Sequence, residues 1–297
     1  MISWPAWWYT VDEKKQQNGT GSIRSVERAF DILEALERNR QPVRLTDLAR
    51  LTGMPKATVQ RLLGVLERRG FADRVVGRFQ IGVGVLPLSH VFLMENSLAK
   101  SALPVLQELA RASQKTATLY VLHGMERVVV QRVEGKKALR YTLPIGQRLP
   151  LLLGAAGYVL AAAMSREEQE QLLDYTGDVR LCTGEVLSRR ALRAKLDAVR
   201  RQGYAVSRNM RVLGNFSLAA PVVRPDGATV AAVAVTGLAS QVGEGEEEAL
   251  SIEVRQAAHA LGERERAASL IESPPGTPRR PTRSPQVFAG RQKGGTP

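Results

Sequence analysis

The spacing of apolar residues predicts helices in the first third of the chain and a mixture of strands and helices in the rest. A first helix is predicted from Ser25 to Arg38, with five apolar side chains facing inward: Val26, Ala29, Phe30, Leu33 and Leu36. Gln41-Pro42 closes this region, because proline disfavours continuation of a helix. Helical spacing then resumes at Leu45.

The stretch from Leu45 to Gly70 predicts two short helices joined by a tight turn. Gly53 supplies the turn, and Pro55 is tolerated at the start of the next helix, where no intrahelical N–H is needed. The second helix has an apolar back and a polar, basic N-terminal end. This arrangement is typical of the DNA-reading helix of a helix-turn-helix motif. From this stretch alone, an ordinary helical hairpin with a solvated basic face is the alternative.

Two short strands are predicted directly after the second helix, Phe71–Val75 and Arg78–Val83, with a turn at Val76-Gly77. A β-hairpin in this position makes a winged helix. Because the wing and the basic helix are independent features, the hairpin favours DNA binding over the simple helical hairpin. Arg74 and Arg78 of the wing are predicted to contact phosphates or the minor groove.

The pattern after the hairpin predicts a helix over Leu86–Ser113, bent near Pro104, followed by an α+β domain with a largely antiparallel sheet. The apolar first half of that helix indicates a connector and dimer contact, with a core helix as the alternative. The predicted strands are Thr116–His123, Arg127–Val133, Leu139–Leu143, Tyr204–Arg208, Ser217–Val223 and Thr229–Thr236. The predicted helices are Gly154–Met164, Arg166–Tyr175, Arg189–Gln202 and Glu246–Arg266.

The charge distribution indicates a polyanionic partner. The chain has 297 residues and a formal net charge of +13. Residues 22–84 carry 12 Lys/Arg against 7 Asp/Glu, and residues 272–297 carry 5 against 1. The basic excess is therefore densest in the helix-turn-helix region and in the tail, which fits nucleic-acid binding.

Several other functional classes are disfavoured by composition and motifs. The single cysteine, Cys182, gives no disulfide framework and fits a reducing cytosol. The three histidines are scattered, so no metal site and no cofactor are expected. The N-terminus lacks the pattern of a signal peptide, and no membrane span is expected, so the protein is predicted to be cytoplasmic. No GxSxG, HExxH, Walker or dinucleotide motif occurs, which disfavours an enzyme.

The chain resembles the IclR family of bacterial transcriptional regulators over about residues 22–270, through motifs in the family's order: SVERAFDILEAL, LTDLARLTGMPKATVQRLLGVLERRGF, GRFQIG, VVVQRVEG, IGQRLPL, LRAKLDAVRRQGYAV, AAPVVRPDG and VAVTG. The resemblance implies an α+β fold with an N-terminal winged helix-turn-helix, a linker helix and a C-terminal GAF-like effector-binding domain. The expected segments are a flexible extension (1–21), the winged helix-turn-helix (22–84), the linker helix (85–113), the GAF-like domain (114–271) and a disordered basic tail (272–297).

The predicted DNA contacts are concentrated at the start of the second helix of the motif and in the wing. The candidate DNA-binding residues are Thr46, Lys56, Ala57, Thr58, Gln60, Arg61, Arg74 and Arg78. Arg61 is a candidate for reading guanine through two hydrogen bonds. Ala57 stands where the family commonly has Ser, which removes one possible hydrogen bond to DNA.

The family resemblance also implies an effector pocket, whose candidate residues are Leu152, Gly154, Ala155, Ala156, Tyr158, Ser207, Ser217, Ala234 and Thr236. Several departures remove polar groups that are common in the family: Leu152 replaces His, Tyr158 replaces Lys and Ser207 replaces an acidic residue. We therefore expect a more apolar pocket, with Ser217, Thr236 and the backbone of Gly154–Ala156 as polar anchors. The alternative is that these are ordinary packing positions.

These observations predict a DNA-binding transcriptional regulator, a repressor or an activator, of a catabolic operon. Its expected effector is a small aromatic or hydrophobic carboxylic acid, and its expected DNA partner is a double-stranded, pseudo-palindromic operator. The family resemblance implies a homodimer or homotetramer. The alternative is a DNA-binding protein whose C-terminal domain is only an oligomerisation module without a ligand.

Overall fold

The structure, a computed structural model, describes residues 23–39, 41–136 and 143–271. The predicted extension (1–21), most of the predicted strand Leu139–Leu143 and the predicted tail (272–297) lie outside the described residues. The chain divides between Met94 and Glu95 into two compact units. In the described part of the chain, no helix combines the length and the apolar character needed to cross a membrane.

The N-terminal unit is a winged helix-turn-helix, as the sequence predicts. Its helices are α1 (Arg24–Arg38), α2 (Leu45–Thr52) and α3 (Lys56–Arg68), and its strands are β1 (Val43–Arg44), β2 (Ala72–Val75) and β3 (Arg78–Ile81). Strand β1 has only two residues, too few for a periodic signal, and was not predicted. It pairs with β3 and completes an antiparallel sheet of order β1-β3-β2.

The apolar backs of the three helices form the core of this unit, with Ile32, Leu48 and Leu63 fully buried. Helix α2 ends at Gly53, whose φ of 66° lies in the left-handed region that glycine adopts at little steric cost. The inward orientation predicted for Val26 and Phe30 was wrong, because α2, α3 and β3 pack on the side of α1 that carries Ile32.

Two helices occupy the segment for which one helix with a bend near Pro104 was predicted: α4 (Val85–Glu95) and α5 (Ser97–Ser113). The break lies at Asn96, whose side chain accepts a 2.9 Å hydrogen bond from the Ala99 backbone N–H and caps α5. Helix α5 continues through Pro104. In α4, all of which the structure describes, no residue is buried.

The C-terminal unit is built on a six-stranded antiparallel sheet, whose strands are β4 (Thr116–His123), β5 (Glu126–Val133), β6 (Arg148–Pro150), β9 (Ala205–Arg208), β10 (Asn215–Val223) and β11 (Thr229–Leu238). Their order in the sheet is β6-β5-β4-β11-β10-β9. A separate pair, β7 (Val179–Arg180) and β8 (Val186–Leu187), forms a two-stranded sheet. The predicted α+β fold with an antiparallel sheet is confirmed.

Helices α6 (Ala155–Ala162) and α9 (Glu244–Ile271), together with α5, pack against the strands of this sheet. Helix α8 (Arg189–Gln202) packs on α6, and α7 (Arg166–Thr176) packs against α8. Adjacent residues of a strand point to opposite faces. Ser207 of β9 contacts the first residue of α6, whereas the next residue, Arg208, forms a 2.7 Å ion pair with Glu247 of α9. Helices α6 and α9 therefore lie on opposite sides of the sheet.

Helices α5 and α9 pack against each other and are joined by polar contacts near both ends of α5. At its N-terminal end, Ser97 Oγ donates a 3.2 Å hydrogen bond to Glu265. Beyond its C-terminal end, the buried Lys115 ammonium forms a 2.7 Å ion pair with Glu246. These contacts hold the two helices together along the length of α5.

Candidate functional site

One face of α3 presents a polar, basic surface to solvent. Ala57, Gln60, Arg61, Gly64 and Arg68 line one shallow groove along the helix. Their spacing of three or four residues places them on one side, opposite the apolar back. We call these five residues the α3 groove. Gly64 and Arg68 were not among the predicted DNA-binding residues, although their spacing from Ala57 and Arg61 could have identified them.

The remaining predicted DNA-binding residues surround the groove within the same unit. Lys56 and Thr46 are exposed, at the start of α3 and in the first turn of α2, and Thr58 is half-buried. Arg78 of the wing is exposed and donates a 3.3 Å hydrogen bond to the Pro42 carbonyl oxygen.

Arg74 of the wing is committed to internal contacts. Its Nε and Nη2 donate to the Glu67 carboxylate at 3.1 and 3.3 Å, and its guanidinium lies 4.8 Å from the centre of the Phe79 ring. Glu67 belongs to α3, so Arg74 ties the wing to that helix. The two wing arginines therefore differ in their partners: Arg74 pairs with a carboxylate of α3 and positions the wing, whereas Arg78 bonds to a backbone carbonyl oxygen.

A pocket in the C-terminal unit brings together six of the nine predicted effector-binding residues: Gly154, Ala155, Ala156, Ser207, Ser217 and Thr236. The other three, Leu152, Tyr158 and Ala234, do not line it and are buried in the surrounding core. Burial raises the pKa of the Tyr158 hydroxyl above its ordinary value, so it stays neutral at neutral pH.

Four hydroxyl groups form a row across four neighbouring strands on the wall of this pocket. Ser217 of β10 lies directly opposite Ser207 of β9 and Thr236 of β11, and Thr236 lies opposite Thr116 of β4. Residues directly opposite in an antiparallel pair share one face of the sheet, and all four line the pocket. We call them the hydroxyl row.

The hydroxyl row lies next to the N-terminal end of α6. Ser207 Oγ accepts a 3.2 Å hydrogen bond from the Ala155 backbone N–H, the first of that helix. The hydroxyls of Thr236 and Ser217 are 3.4 Å apart. Since the N–H groups of a helix start favour negative charge, this end of the pocket suits an anion.

Arg127 of β5 is the most buried charged residue of the pocket wall, with 4% of its surface exposed. Its guanidinium donates to three backbone carbonyl oxygens at and just after the end of β6: Pro150, Leu151 at 3.5 Å and Leu153 at 3.0 Å. Burial, reinforced by the positive charge of Arg211, lowers the pKa of Arg127 to about 9. Arg127 therefore remains protonated at neutral pH and carries its charge into the protein interior.

Two glycines leave the space that Arg127 occupies. A Cβ atom at Gly157 of α6 would overlap the Leu151 carbonyl oxygen and the Arg127 guanidinium. A Cβ atom at Gly154 would lie 3.0 Å from Arg127 Nη2, and the φ of Gly154 is 125°, which disfavours any other residue. The loop before α6 and the buried arginine therefore depend on each other.

Sequence reasoning missed several residues of this pocket: Thr116, Thr118, Tyr120, Arg127, Arg132, Leu143, Leu153, Met210, Arg211 and Asn215. The alternation of Thr116, Thr118 and Tyr120 along β4 could have placed those three on one face. The three arginines make the lining more basic than we expected, and among the described lining residues none is Asp or Glu. Arg132 forms a 2.9 Å ion pair with Glu134 outside the lining. In residues 23–39, 41–136 and 143–271, no group of three or more His, Cys, Asp or Glu is placed to hold a metal ion.

Comparison with known proteins assigns both parts of the chain to one family. The model of the IclR helix-turn-helix domain matches residues 25–75, and the model of the bacterial transcriptional regulator IclR C-terminal domain matches residues 90–263. The HTH-type transcriptional regulator XynR of Escherichia coli (strain K12) is 31% identical over 241 residues, which cover 80% of this chain and 96% of XynR.

Solved structures of similar proteins support the fold. An IclR transcriptional regulator from Alicyclobacillus acidocaldarius has a TM-score of 0.72 at 22% identity, covering 82% of this chain and 99% of that one. An IclR homolog from Microbacterium hydrocarbonoxydans, complexed with 4-hydroxybenzoate, has a TM-score of 0.69 at 23% identity, with the same coverage of both chains. At these identities the likeness shows the fold alone. Together with the family models, these findings confirm the predicted resemblance: the chain belongs to the IclR family of bacterial transcriptional regulators.

Proposed function

We propose that this protein binds a pseudo-palindromic operator of a catabolic operon and represses or activates it in response to a small organic acid. The exposed α3 groove at the surface of a winged helix-turn-helix is the observation that carries the proposal. The pocket in the C-terminal unit, lined by arginines and hydroxyl groups, supports control by an acidic ligand.

In this proposal the N-terminal half of α3 enters the major groove. Arg61 and Gln60 reach base edges, and Lys56 contacts a flanking phosphate, because these side chains are exposed near the helix start. Arg78 contacts the DNA backbone from the wing. Arg74 acts indirectly by holding the wing against α3 through Glu67.

The operator is bound by a homo-oligomer, a dimer or tetramer. Helix α4 supports this part of the proposal, because it exposes a run of large apolar side chains: Leu86, Leu88, Val91, Phe92 and Met94. Large exposed apolar patches mark interaction surfaces. A second copy of the chain that covers α4 would present two α3 helices to the two half-sites of a pseudo-palindrome.

The effector is a small carboxylic acid with an aromatic or hydrophobic body. Tyr120, Leu143, Leu153 and Met210 supply apolar surface in the pocket, and Arg127 supplies a buried positive charge. The 4-hydroxybenzoate complex of the Microbacterium homolog supports an aromatic acid in this family's fold. The acid alters DNA affinity by binding one of two conformations of the protein more tightly.

Operator affinity of the Arg61→Ala variant tests the DNA part of this proposal. Genomic fragments bound by the purified protein supply the operator, and gel shifts measure its affinity for the wild type and the variant. Loss of Arg61 should weaken operator binding by about 1–3 kcal/mol, or roughly fivefold to 150-fold, and relax base preference at one position of each half-site. In the same assay, benzoate should change operator affinity at lower concentrations than glyoxylate.

Arg190→Ala is the matched control, because it removes an exposed helical arginine from α8 in the other unit. Both variants lose one positive charge, so a purely nonspecific charge effect would weaken them equally. Equal affinities for the two variants, or an unchanged Arg61→Ala variant, would contradict the assignment of α3 as the reading helix.

A further inference from the structure

Val76, at the tip of the wing, has a backbone conformation that does not suit its side chain. Val75 of β2 pairs with Arg78 of β3, so Val76 and Gly77 form a two-residue hairpin turn. The φ angles of these two residues are 47° and 71°, a combination in which asparagine, aspartate or glycine is favoured at the first position. A β-branched residue with a positive φ is a steric outlier. The wing therefore carries backbone strain at its tip.

This strain brings no packing within the protein. Val76 is 95% exposed, so its side chain makes almost no contact with the described part of the chain. In that part, the other residues with a positive φ that are not glycine are Gln114 and Asn209, and neither is β-branched. A single exposed valine is ordinary, but an exposed valine held in a left-handed turn is not. Such residues are concentrated at functional sites, where the strain serves the site.

The tip is held beside helix α3, within the same compact unit. Arg74, two residues before Val76, donates to the Glu67 carboxylate of α3 at 3.1 and 3.3 Å. Arg78, two residues after Val76, is exposed on the other strand of the wing. The apolar tip therefore lies between two arginines, on a hairpin that an ion pair fastens to the proposed DNA-reading helix.

The chemistry of this tip matches the minor groove of DNA. The walls of that groove are apolar deoxyribose faces bordered by phosphates, and proteins that enter it combine arginines with inserted apolar side chains. A protein partner fits less well, because a stable protein interface buries about 800 Å² on each side, far more than one valine offers.

We propose that Val76 contacts the operator along the sugar walls of the minor groove, and that the strained turn serves to present its side chain there. This inference rests on the proposed function, in which this unit binds an operator. It adds an apolar contact, independent of salt, to the charged contacts of α3 and the wing. The wing is then less stable than it could be, in return for DNA affinity.

The Val76→Asn variant tests this inference, because asparagine suits the left-handed turn and removes the apolar surface. Thermal unfolding of the full-length variant should show a midpoint raised by about 2–4 °C. Gel shifts with operator fragments, recovered from genomic DNA by the wild-type protein, should show binding weakened about tenfold. That loss should be the same at low and high salt, because no cation is removed. Arg78→Ala should instead lower the salt dependence of binding.

Two further variants separate the apolar contact from other effects. Val76→Ile keeps a branched apolar side chain and should bind the operator as tightly as the wild type. Val83→Asn is the matched control, because Val83 is an exposed valine of the same unit that lies beyond the wing strands. It should leave operator binding unchanged. Hydroxyl-radical footprints report the exposure of sugars, and Val76→Asn should lose protection at one patch flanking each half-site.

The possible results are distinct. A Val76→Asn variant that binds the operator like the wild type, while Arg61→Ala does not, overturns this inference and leaves the proposed function standing. A loss that disappears at high salt, or an equal loss in Val83→Asn, also overturns it, because the effect then comes from charge or from the fold. A Val76→Asn variant less stable than the wild type contradicts the strain. A wild-type protein that recovers no DNA fragment overturns both the inference and the proposed function.

Discussion

The two binding surfaces of this protein carry arginines in opposite environments. In the N-terminal unit, Arg61 of the α3 groove is exposed to water and lies on a helix whose apolar back holds the fold. In the C-terminal unit, Arg127 is buried and bonds three backbone carbonyl groups. Single substitutions in the α3 groove should therefore have little effect on the stability of the protein. Substitutions in the pocket should destabilise it, because the charged wall of the pocket is also part of the core.

The largest expected difference in stability is between alanine substitutions at two helical glycines, one in each region. Gly157→Ala should destabilise the C-terminal unit by about 3 kcal/mol or more, because the new Cβ atom has no space between the Leu151 carbonyl and Arg127. Gly64→Ala in α3 should be neutral or stabilising by about 0.5–1 kcal/mol, because its nearest neighbour is Arg68 Nη1 at 3.7 Å. Denaturant unfolding measures both, and similar effects would contradict the contrast between the two regions.

A smaller difference in stability is expected when each of the two arginines is replaced by methionine. Arg127→Met should destabilise the protein by about 2–3 kcal/mol, because carbonyl oxygens such as those of Leu151 and Leu153 lose a charged donor. Arg61→Met should change stability by no more than about 0.5 kcal/mol. Chemical unfolding followed by circular dichroism gives both values. An Arg127→Met variant as stable as the wild type would show that burial of this charge opposes folding as strongly as its bonds favour it.

The smallest expected effect on stability is at Glu170, whose charge is solvated although it lies in the same unit as the pocket. This substitution therefore tests whether the cost depends on burial of the charge or on the unit in which it lies. The Arg189 and Arg193 guanidiniums hydrogen-bond to Glu170 and lower the pKa of its carboxyl below the ordinary 4.5. A lowered carboxyl pKa stabilises the folded state above the ordinary pKa, and that contribution disappears as pH falls through the lower, folded-state value. Glu170→Gln should therefore be slightly less stable than the wild type at pH 7 and equally stable near pH 3.

Thermal unfolding between pH 3 and pH 7 measures this difference. Glu167→Gln, which removes an exposed carboxylate from the same helix, is the control for the loss of one negative charge. A difference between Glu170→Gln and the wild type that grows toward low pH would have the wrong sign for a stabilising ion pair.

The contrast between the two regions also explains what could be predicted from the sequence. Helix α8 was predicted at its observed bounds, Arg189–Gln202, because local signals mark both ends: Ser188 caps its start and Gly203 ends it. The α3 groove is equally local, since its residues span twelve positions of one helix. The six pocket residues were predicted from the resemblance to a family, and their role as ligand contacts stays a prediction.

The rest of the pocket depends on pairings between distant strands. The hydroxyl row becomes visible only once the register of β9, β10, β11 and β4 is known, and that register follows from the whole sheet. Arg127 carries no sequence signal of burial, because a charged residue in an alternating strand is expected to face water. The preference for an aromatic or hydrophobic acid rests on lost polar residues alone, because the sequence does not place the arginines in the pocket.

Helix α5 connects the hydroxyl row to the first residues of the C-terminal unit. Only Gln114 and Lys115 separate Thr116 from the end of this helix, so a displacement of Thr116 acts directly on that end of the helix. Its 17 residues span about 25 Å, and a rotation of about 5° around the Thr116 end would move the first turn by about 2 Å. Because contacts at Lys115 and Ser97 fasten α9 to α5, the rod is two helices thick and resists bending. Any rotation of this helix pair about its Thr116 end would therefore be largest at Ser97, three residues after Met94, where the N-terminal unit ends.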